Sequence, residues 1–308
     1  MLLNQLPKCL LHIIAQYIVP IPVRLKSFID PEKIDWYWLS CNPAAISLLK
    51  KNPEKIDWIG LSENPAAISI LEKNIDKISW DEFSSNIAAI PLLEKNPEKI
   101  DWRQLSENPG AVSLLERSPE KINWWSLSRN PAAISILTKN VNKIKWLQLS
   151  SNPAAISLLE NNITNISWRR LSSNSSAISI LEKNLDKIYW SNLSENSAAI
   201  SLLEKNPNKI NWEHMSGNPA AISFLEKNLD KIEWDWLSEN PAAISILEKH
   251  PERIDWDCFC RNPRSISLLE QNQEKINWNR LSENPAIIEP DIEQYKKDLN
   301  SWIEDLEK

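Results

Sequence analysis

Residues that could carry out catalysis are few and scattered in this chain of 308 residues. Its three histidines, His12, His214 and His250, are far apart and share no sequence context. The sequence contains no glycine-rich phosphate loop, no zinc-binding His-Glu-x-x-His motif and no nucleophile elbow. It therefore predicts a protein that is not an enzyme, has no catalytic residues and needs no cofactor.

The four cysteines show neither a disulfide framework nor a metal-binding spacing. Cys9 and Cys41 stand alone, and Cys258 and Cys260 are separated by a single residue. Zinc sites usually place about two to four residues between paired cysteines. We expect free thiols, which are typical of a reducing compartment, and no bound metal.

The residues best suited to binding follow twelve tryptophans that are spaced 22 residues apart. The two positions after each tryptophan vary in size, charge and polarity. Aromatic and arginine side chains at such surface positions favour contacts with a partner. The alternative is that these positions form only a solvated rim. The candidate partner-binding residues are Trp38, Arg103, Trp125, Arg169, Arg170, His214, Trp236 and Arg280.

The 22-residue spacing predicts a tandem array of short helical units that positions these residues. The period contains no insertion or deletion, and periods of about 20–50 residues are typical of solenoids. Apolar residues at helical spacing accompany each tryptophan, so we predict that the tryptophans fill the repeat core. They are Trp36, Trp58, Trp80, Trp102, Trp124, Trp146, Trp168, Trp190, Trp212, Trp234, Trp256 and Trp278.

An asparagine six residues after each tryptophan predicts the start of a second helix in the unit. Proline usually follows it, and proline is favoured at the first helical position while the residue before it is extended, as a cap must be. The first helix is short enough to be partly 3₁₀. The end of the unit is either a turn or a third helical piece. The predicted caps include Asn64, Asn108, Asn130, Asn152 and Asn240.

These patterns predict an all-α solenoid, a superhelix of twelve 22-residue repeats with two short helices each. Residues 31–288 form the solenoid, residues 1–30 an N-terminal helical cap, and residues 289–308 a C-terminal capping helix with an apolar face. A coiled-coil contact is the alternative role for that face. Because each repeat packs only on its neighbours, we expect an extended array with a separate cap at each end.

Charge and hydropathy limit which classes of partner the protein can bind and in which compartment we expect it. The net charge of −6 argues against a general nucleic-acid binder, and glutamates beside the recurring lysines would repel a phosphate backbone. The apolar run over residues 9–19 is too short to span a bilayer, and the N-terminus lacks the features of a signal peptide. We predict an intracellular protein that binds a protein partner, with no membrane contact. The sequence indicates no particular oligomeric state.

The repeated unit, with the approximate consensus NPAAISLLEKNPEKIDW, resembles tandem repeats of giant viruses such as the mimivirus and marseillevirus groups. The resemblance covers residues 31–288 and depends on the spacing of the Trp, Asn-Pro and Leu-Ser positions. It implies a viral protein located in the host cytoplasm or the virion, and it implies architecture more than activity. Residues 6–18 resemble the opening of an F-box, although the segment before the first repeat is shorter than an F-box.

Together these features predict a non-enzymatic protein-interaction scaffold that binds a partner along its repeat surface. Two alternatives stay open. The N-terminal segment could make the protein a substrate adaptor for a ubiquitin ligase, or the array could be a structural virion component that acts as a spacer or strut.

Overall fold

The computed structural model describes residues 8–307, and within them it confirms the all-α repeat solenoid. Each repeat is counted here from the residue three before its tryptophan, so repeat 1 begins at Lys33 and repeat 12 at Lys275. Helix α1 spans Lys8–Ile18 before the array, and α25 spans Ile292–Glu307 after it. No helix in the described part of the chain is long and apolar enough to cross a membrane.

The first helix of every unit begins at the repeat tryptophan, because the preceding residue is extended and in several units caps the helix. Asp57, for example, accepts a hydrogen bond from the Gly60 N–H at 2.9 Å. These helices, α2 to α24 in even numbers, are Trp36–Cys41, Trp58–Glu63, Trp80–Ser85, Trp102–Glu107, Trp124–Leu127, Trp146–Leu149, Trp168–Ser172, Trp190–Ser194, Trp212–Ser216, Trp234–Glu239, Trp256–Cys260 and Trp278–Ser282.

The second helix follows in eleven repeats, and a short strand replaces it in repeat 12. These helices, α3 to α23 in odd numbers, are Ile46–Lys51, Ile68–Leu71, Ile90–Lys95, Val112–Arg117, Ile134–Lys139, Ile156–Glu160, Ile178–Glu182, Ile200–Glu204, Ile222–Leu225, Ile244–Lys249 and Ile266–Gln271. The strand β2 spans Ile288–Pro290 and pairs with β1, Val23–Leu25, which precedes the array.

The 3₁₀ turns lie elsewhere than the sequence suggested. The first helix is α-helical, whereas a 3₁₀ turn opens the second segment in most repeats, because the extended asparagine and the proline after it start a tighter turn. These turns are Pro43–Ala45, Pro65–Ala67, Pro109–Ala111, Pro131–Ala133, Pro153–Ala155, Ser175–Ala177, Ser197–Ala199, Pro219–Ala221 and Pro285–Ile287.

The end of the unit, for which the sequence left two options, is a further 3₁₀ turn. It brings the chain back to the next tryptophan, and an isoleucine in extended conformation follows it, such as Ile56. These turns are Pro53–Lys55, Ile75–Lys77, Pro97–Lys99, Pro119–Lys121, Val141–Lys143, Ile163–Asn165, Leu185–Lys187, Pro207–Lys209, Leu229–Lys231, Pro251–Arg253 and Gln273–Lys275.

The continuous core is built from aliphatic side chains, and the tryptophans lie at its edge. In repeat 2, Leu61, Ala67 and Leu71 are completely buried. All twelve repeat tryptophans are half-buried and pack against this core. Their predicted place in the core interior therefore needs correction. The indole is larger than the space between two stacked units, so one side of it stays in contact with solvent.

Two polar columns join each repeat to the next. Ser62 donates its hydroxyl to the Trp58 carbonyl at 2.7 Å and accepts the N–H of Ser79, in the following repeat, at 3.0 Å. Asn64 accepts the Ala66 N–H, as an N-cap does, and its amide donates to the Ser40 carbonyl of the previous repeat. The same two asparagine bonds recur at Asn108, Asn130, Asn152 and Asn240.

The two ends of the array meet, which corrects the expectation of an extended course. The Asp35 N–H donates to Ser282 Oγ at 2.8 Å, the same bond that Asp57 makes to Ser40 between repeats 1 and 2. The Lys33 ammonium lies 5.1 Å from the Trp278 ring centre, as Lys55 lies over Trp36. Repeat 1 thus packs on repeat 12 through contacts that also join interior neighbours, and the solenoid is a closed ring. We call this interface the seam.

The segments outside the array join across the seam instead of capping separate ends. The strands β1 and β2 pair antiparallel, with Arg24 opposite Glu289 and an ion pair between them at 3.0 Å. Helices α1 and α25 pack together through a small core of Leu11, Ala15, Leu299 and Ile303. We call these four elements the terminal clasp. Residues 1–7 of the predicted N-terminal cap and residue 308 lie outside the described residues.

Candidate partner-binding surface

The first helices line the inner side of the ring. Most successive first helices are in contact, and the clefts between them, about 220–330 Å³, are smaller than the clefts of about 430 and 630 Å³ between neighbouring second helices. A closed array is more closely spaced on its inner circumference, so the first helices must face the axis. With helix axes about 8–10 Å apart, the axes of the twelve first helices lie on a circle roughly 30–40 Å in diameter. The side chains reduce the central opening to a diameter of about 20–30 Å.

The inner wall consists of the positions one, two and five residues after each repeat tryptophan. On the first helix these positions point away from the buried leucine and serine at positions three and four. The residue at position one is exposed in repeats 2 to 12. Position two is less free than its variation suggests. Gly60 is buried there, and a Cβ would lie 2.6 Å from the Tyr37 carbonyl oxygen.

Trp38 lies beside the seam. Its ring, 41 % exposed, meets Tyr37 edge to face and borders a cleft of about 240 Å³ between repeats 1 and 12. Asn42 lines the same cleft and is half-buried, and its amide does not make the bond to the Ser282 carbonyl that its equivalents make at the other interfaces. Arg280, in repeat 12, is exposed and pairs with Glu283 at 3.5 Å.

Burial between repeats 1 and 2, beside the seam cleft, changes the chemistry of Cys41. It raises the pKa of the Cys41 thiol to about 11, with contributions from the nearby carboxylates of Glu63, Asp57 and Asp35. Burial, followed by Cys41 and Glu63, raises the pKa of the Tyr37 hydroxyl as well. Both groups are therefore protonated and uncharged at neutral pH, which makes Cys41 a poor nucleophile.

Repeats 4 to 7 bring together the second group of predicted residues. Trp125 is 44 % exposed, and the Arg129 guanidinium lies 5.8 Å from its ring centre while pairing with Glu107 at 3.1 Å. Arg103, Arg169 and Arg170 are exposed on the same stretch of wall. Within residues 8–307 these three arginines make no ion pair. This part of the wall therefore combines an aromatic surface with free positive charge.

Repeats 8 to 11 hold the third group, and here the charged side chains bond to one another. Trp236, 38 % exposed, lies against His214 with ring centres 5.4 Å apart. His214 Nδ1 is 3.1 Å from Glu195, and Arg261 pairs with Glu239 at 3.0 Å. Acidic residues predominate on this stretch, so it differs in character from repeats 4 to 7.

The position five residues after the tryptophan belongs to the inner wall, and sequence reasoning missed it. It contributes Glu63, Glu107, Arg129, Glu195 and Arg261, each of which bonds to an inner-wall residue of a neighbouring repeat; among the predicted residues, His214 is contacted in this way by Glu195. The signal was available, because residues three or four apart share a helix face, so position five lies beside positions one and two.

Cys258 and Cys260 show no sign of reactivity or metal binding. Burial raises the pKa of the Cys258 and Cys260 thiols, which keeps both protonated at neutral pH. In the described part of the chain, no three His, Cys, Asp or Glu residues are grouped as a metal site would require. The side chains of Cys9 and His12 lie outside the described residues.

Comparison of the chain with protein-family models, curated proteins and solved structures gave no match.

Proposed function

We propose that the protein is a non-enzymatic interaction scaffold that binds a protein partner on the inner wall of its ring. The division of roles within each repeat supports this most directly. The serine, asparagine and leucine columns repeat almost unchanged, whereas the inner wall differs from unit to unit and exposes Trp38, Trp125 and Trp236. A tryptophan contributes a large apolar area when a partner covers it, and such residues dominate many interfaces.

From the resemblance to giant-virus repeat proteins, we expect the partner to be a protein of the host cell or the virion. The strut alternative has less support, because a strut needs a large distance between its ends and here the ends meet. The adaptor alternative depends on residues 6–18, of which residues 6 and 7 lie outside the described part. It remains a prediction, with the exposed Tyr17 and Ile18 on α1 as the surface that ligase machinery would use.

Affinity purification with mass spectrometry tests the inner-wall proposal. Three baits are compared: the natural chain, an inner variant with Trp38→Ala, Trp125→Ala and Trp236→Ala, and an outer control with Ile75→Ala, Leu185→Ala and Leu229→Ala. The control residues are similarly exposed, on the 3₁₀ turns between repeats. We expect the natural chain and the control to retain the same proteins and the inner variant to lose them.

Equal retention by all three baits would exclude the inner wall as the binding surface. Recovery of no specific protein by the natural chain would contradict the scaffold proposal itself. Ligase subunits that are retained by the inner variant but lost on Tyr17→Ala would favour the adaptor alternative.

A further inference from the structure

The inner wall is divided by charge. In repeats 4 to 7 its three positions contain four arginines, Arg103, Arg129, Arg169 and Arg170, against one carboxylate, Glu107. The same positions in the other eight repeats contain two arginines against nine carboxylates. We call residues Arg103, Trp125, Arg129, Arg169 and Arg170 the basic arc. The chain as a whole has a net charge of −6, so this local excess of positive charge stands out.

Three arginines of the basic arc are available to a ligand, whereas the fourth, Arg129, pairs with Glu107. Arg103, Arg169 and Arg170 make no ion pair in the described chain, whereas Arg24, Arg117, Arg261 and Arg280 each contact a carboxylate. A guanidinium carries five N–H donors in a planar fork that matches a carboxylate. Adjacent arginines without a counter-charge also repel each other, and an anionic ligand would relieve that repulsion.

The apolar surface within the arc indicates more than a simple anion site. Trp125 and Leu147, 44 % and 53 % exposed, lie between Arg103 at one end and Arg169 at the other. A ligand that follows the arc must therefore present an apolar side chain between two acidic ones. The arc covers three steps between repeats, roughly 25–30 Å, which equals about eight residues of extended polypeptide.

The carboxylates beside the arc favour a short peptide over a nucleic acid. Asp81 and Glu82 precede the arc in repeat 3, and Glu195 and Glu213 follow it in repeats 8 and 9. A phosphate backbone that continued past either end would meet these like charges. A peptide with a short acidic stretch avoids them, because its charge can end where the arc ends.

We propose that the basic arc binds an extended acidic segment of a partner protein, about eight residues long with an apolar side chain near its middle. This proposal rests on the inner wall being the partner-binding surface. Carboxylates of the segment pair with Arg103 and with Arg169 and Arg170, and the central apolar side chain packs on Trp125.

Fluorescence anisotropy on the full chain tests the proposal with three labelled probes. They are an eight-residue peptide with glutamates toward both ends and a central phenylalanine, the same peptide with lysine in place of glutamate, and a single-stranded oligonucleotide of similar length. The test variant carries Arg169→Glu and Arg170→Glu. The matched control carries Lys73→Glu and Lys227→Glu, the same charge change at exposed positions outside the inner wall.

We expect the acidic peptide alone to bind well, with affinity reduced about tenfold or more by Arg169→Glu with Arg170→Glu and unchanged in the control. Added salt should weaken this binding. Equal binding of the lysine peptide, undiminished binding to the test variant, or tighter binding of the oligonucleotide would each overturn the proposal.

The Arg169→Glu, Arg170→Glu variant, used as a further bait in the affinity purification, distinguishes the acidic-segment proposal from the broader proposal of inner-wall binding. Partners that are lost from the triple Trp→Ala bait but fully retained by Arg169→Glu with Arg170→Glu would overturn the acidic segment and leave inner-wall binding intact. Partners that are retained by both baits would overturn both.

Discussion

The seam and the eleven interfaces inside the array share one set of contacts and differ in another. At both, a backbone N–H donates to the serine or cysteine of the previous repeat. Lys33 lies over Trp278 at the seam, as Lys187 lies over Trp168 inside the array. The interior interfaces add an asparagine amide bond to the previous carbonyl, which Asn42 does not make at the seam. The seam has the terminal clasp instead. The stacking surface therefore aligns the two ends, and the terminal elements hold them together.

Removal of an interior asparagine should have the largest effect. Asn152→Ala loses the cap bond to the Ala154 N–H and the amide bonds to the Ser128 and Asn130 carbonyls. Because all three groups lose a buried partner, we expect a loss of about 4 kcal/mol in the free energy of unfolding, measured by urea denaturation. Asn42→Ala loses only the cap bond to Ala44 and should cost about 1 kcal/mol. Equal losses would show that the seam is not the weaker interface.

The clasp should be the next most sensitive region. Leu299→Ala removes a buried side chain between α1 and α25, which should cost about 3 kcal/mol. We expect hydrogen exchange of the Lys26 and Asp291 amides, which bond across the strand pair, to accelerate about a hundredfold. Amides of repeats 5 to 8 should be unaffected. Tyr17→Ala, which removes an 88 % exposed side chain of α1, is the matched control and should not change the exchange rate of either set of amides.

The contacts between lysine and tryptophan should contribute little to the free energy of unfolding, and equally at the seam and inside the array. Lys187 lies 5.0 Å from the Trp168 ring centre inside the array, and Lys33 lies 5.1 Å from Trp278 at the seam. Methionine keeps most of the packing but removes the charge, so Lys187→Met and Lys33→Met should each cost about 0.5–1 kcal/mol. Lys183→Met, with an exposed lysine at the end of α15, is the control. A much larger effect at Lys33 would mean that closure depends on this contact.

The smallest expected effect is a pH dependence at the Cys41 thiol, which lies against repeat 2 and borders the seam cleft. Burial raises the Cys41 pKa from 9.0 in the unfolded chain to about 11, so the folded state holds its proton more tightly. The stability from this group is therefore complete below pH 9 and is lost as pH rises toward 11. Alkylation of Cys41 by iodoacetamide should follow a pH midpoint near 11. Leu299→Ala should lower that midpoint by opening the seam. An unchanged midpoint would show that the raised pKa of Cys41 does not depend on ring closure.

Local features of the fold could be predicted because they depend on neighbouring residues. The asparagine and proline pairs indicate the caps, and the aliphatic spacing indicates the helices. The amide of each asparagine from Asn64 to Asn284 has a second bond to a residue 24 positions earlier, and no local rule reveals it. The tryptophans were assigned to the core interior because hydrophobicity suggested burial, but the space between units decides how much of each indole is covered.

The sequence identified several residues of the candidate site but not how they are arranged around the ring. Variation after each tryptophan identified Trp38, Trp125 and Trp236, but it could not show that they face a common opening. It also overestimated the freedom of position two, where Gly60 is held by the approach of Tyr37. Position five was missed, although helical spacing places it on the same face.

The amino-acid sequence by itself determined the repeat, its two helices and its caps, because each depends on interactions within one unit or with the next. Only the tertiary structure decided that the solenoid closes. A ring of twelve needs an average rotation of about 30° per repeat, and that angle is the sum of many small packing adjustments. A change of a few degrees at each interface would leave an open helix. Closure in turn makes the first helices an inner wall and brings residues 23–25 to residues 288–290.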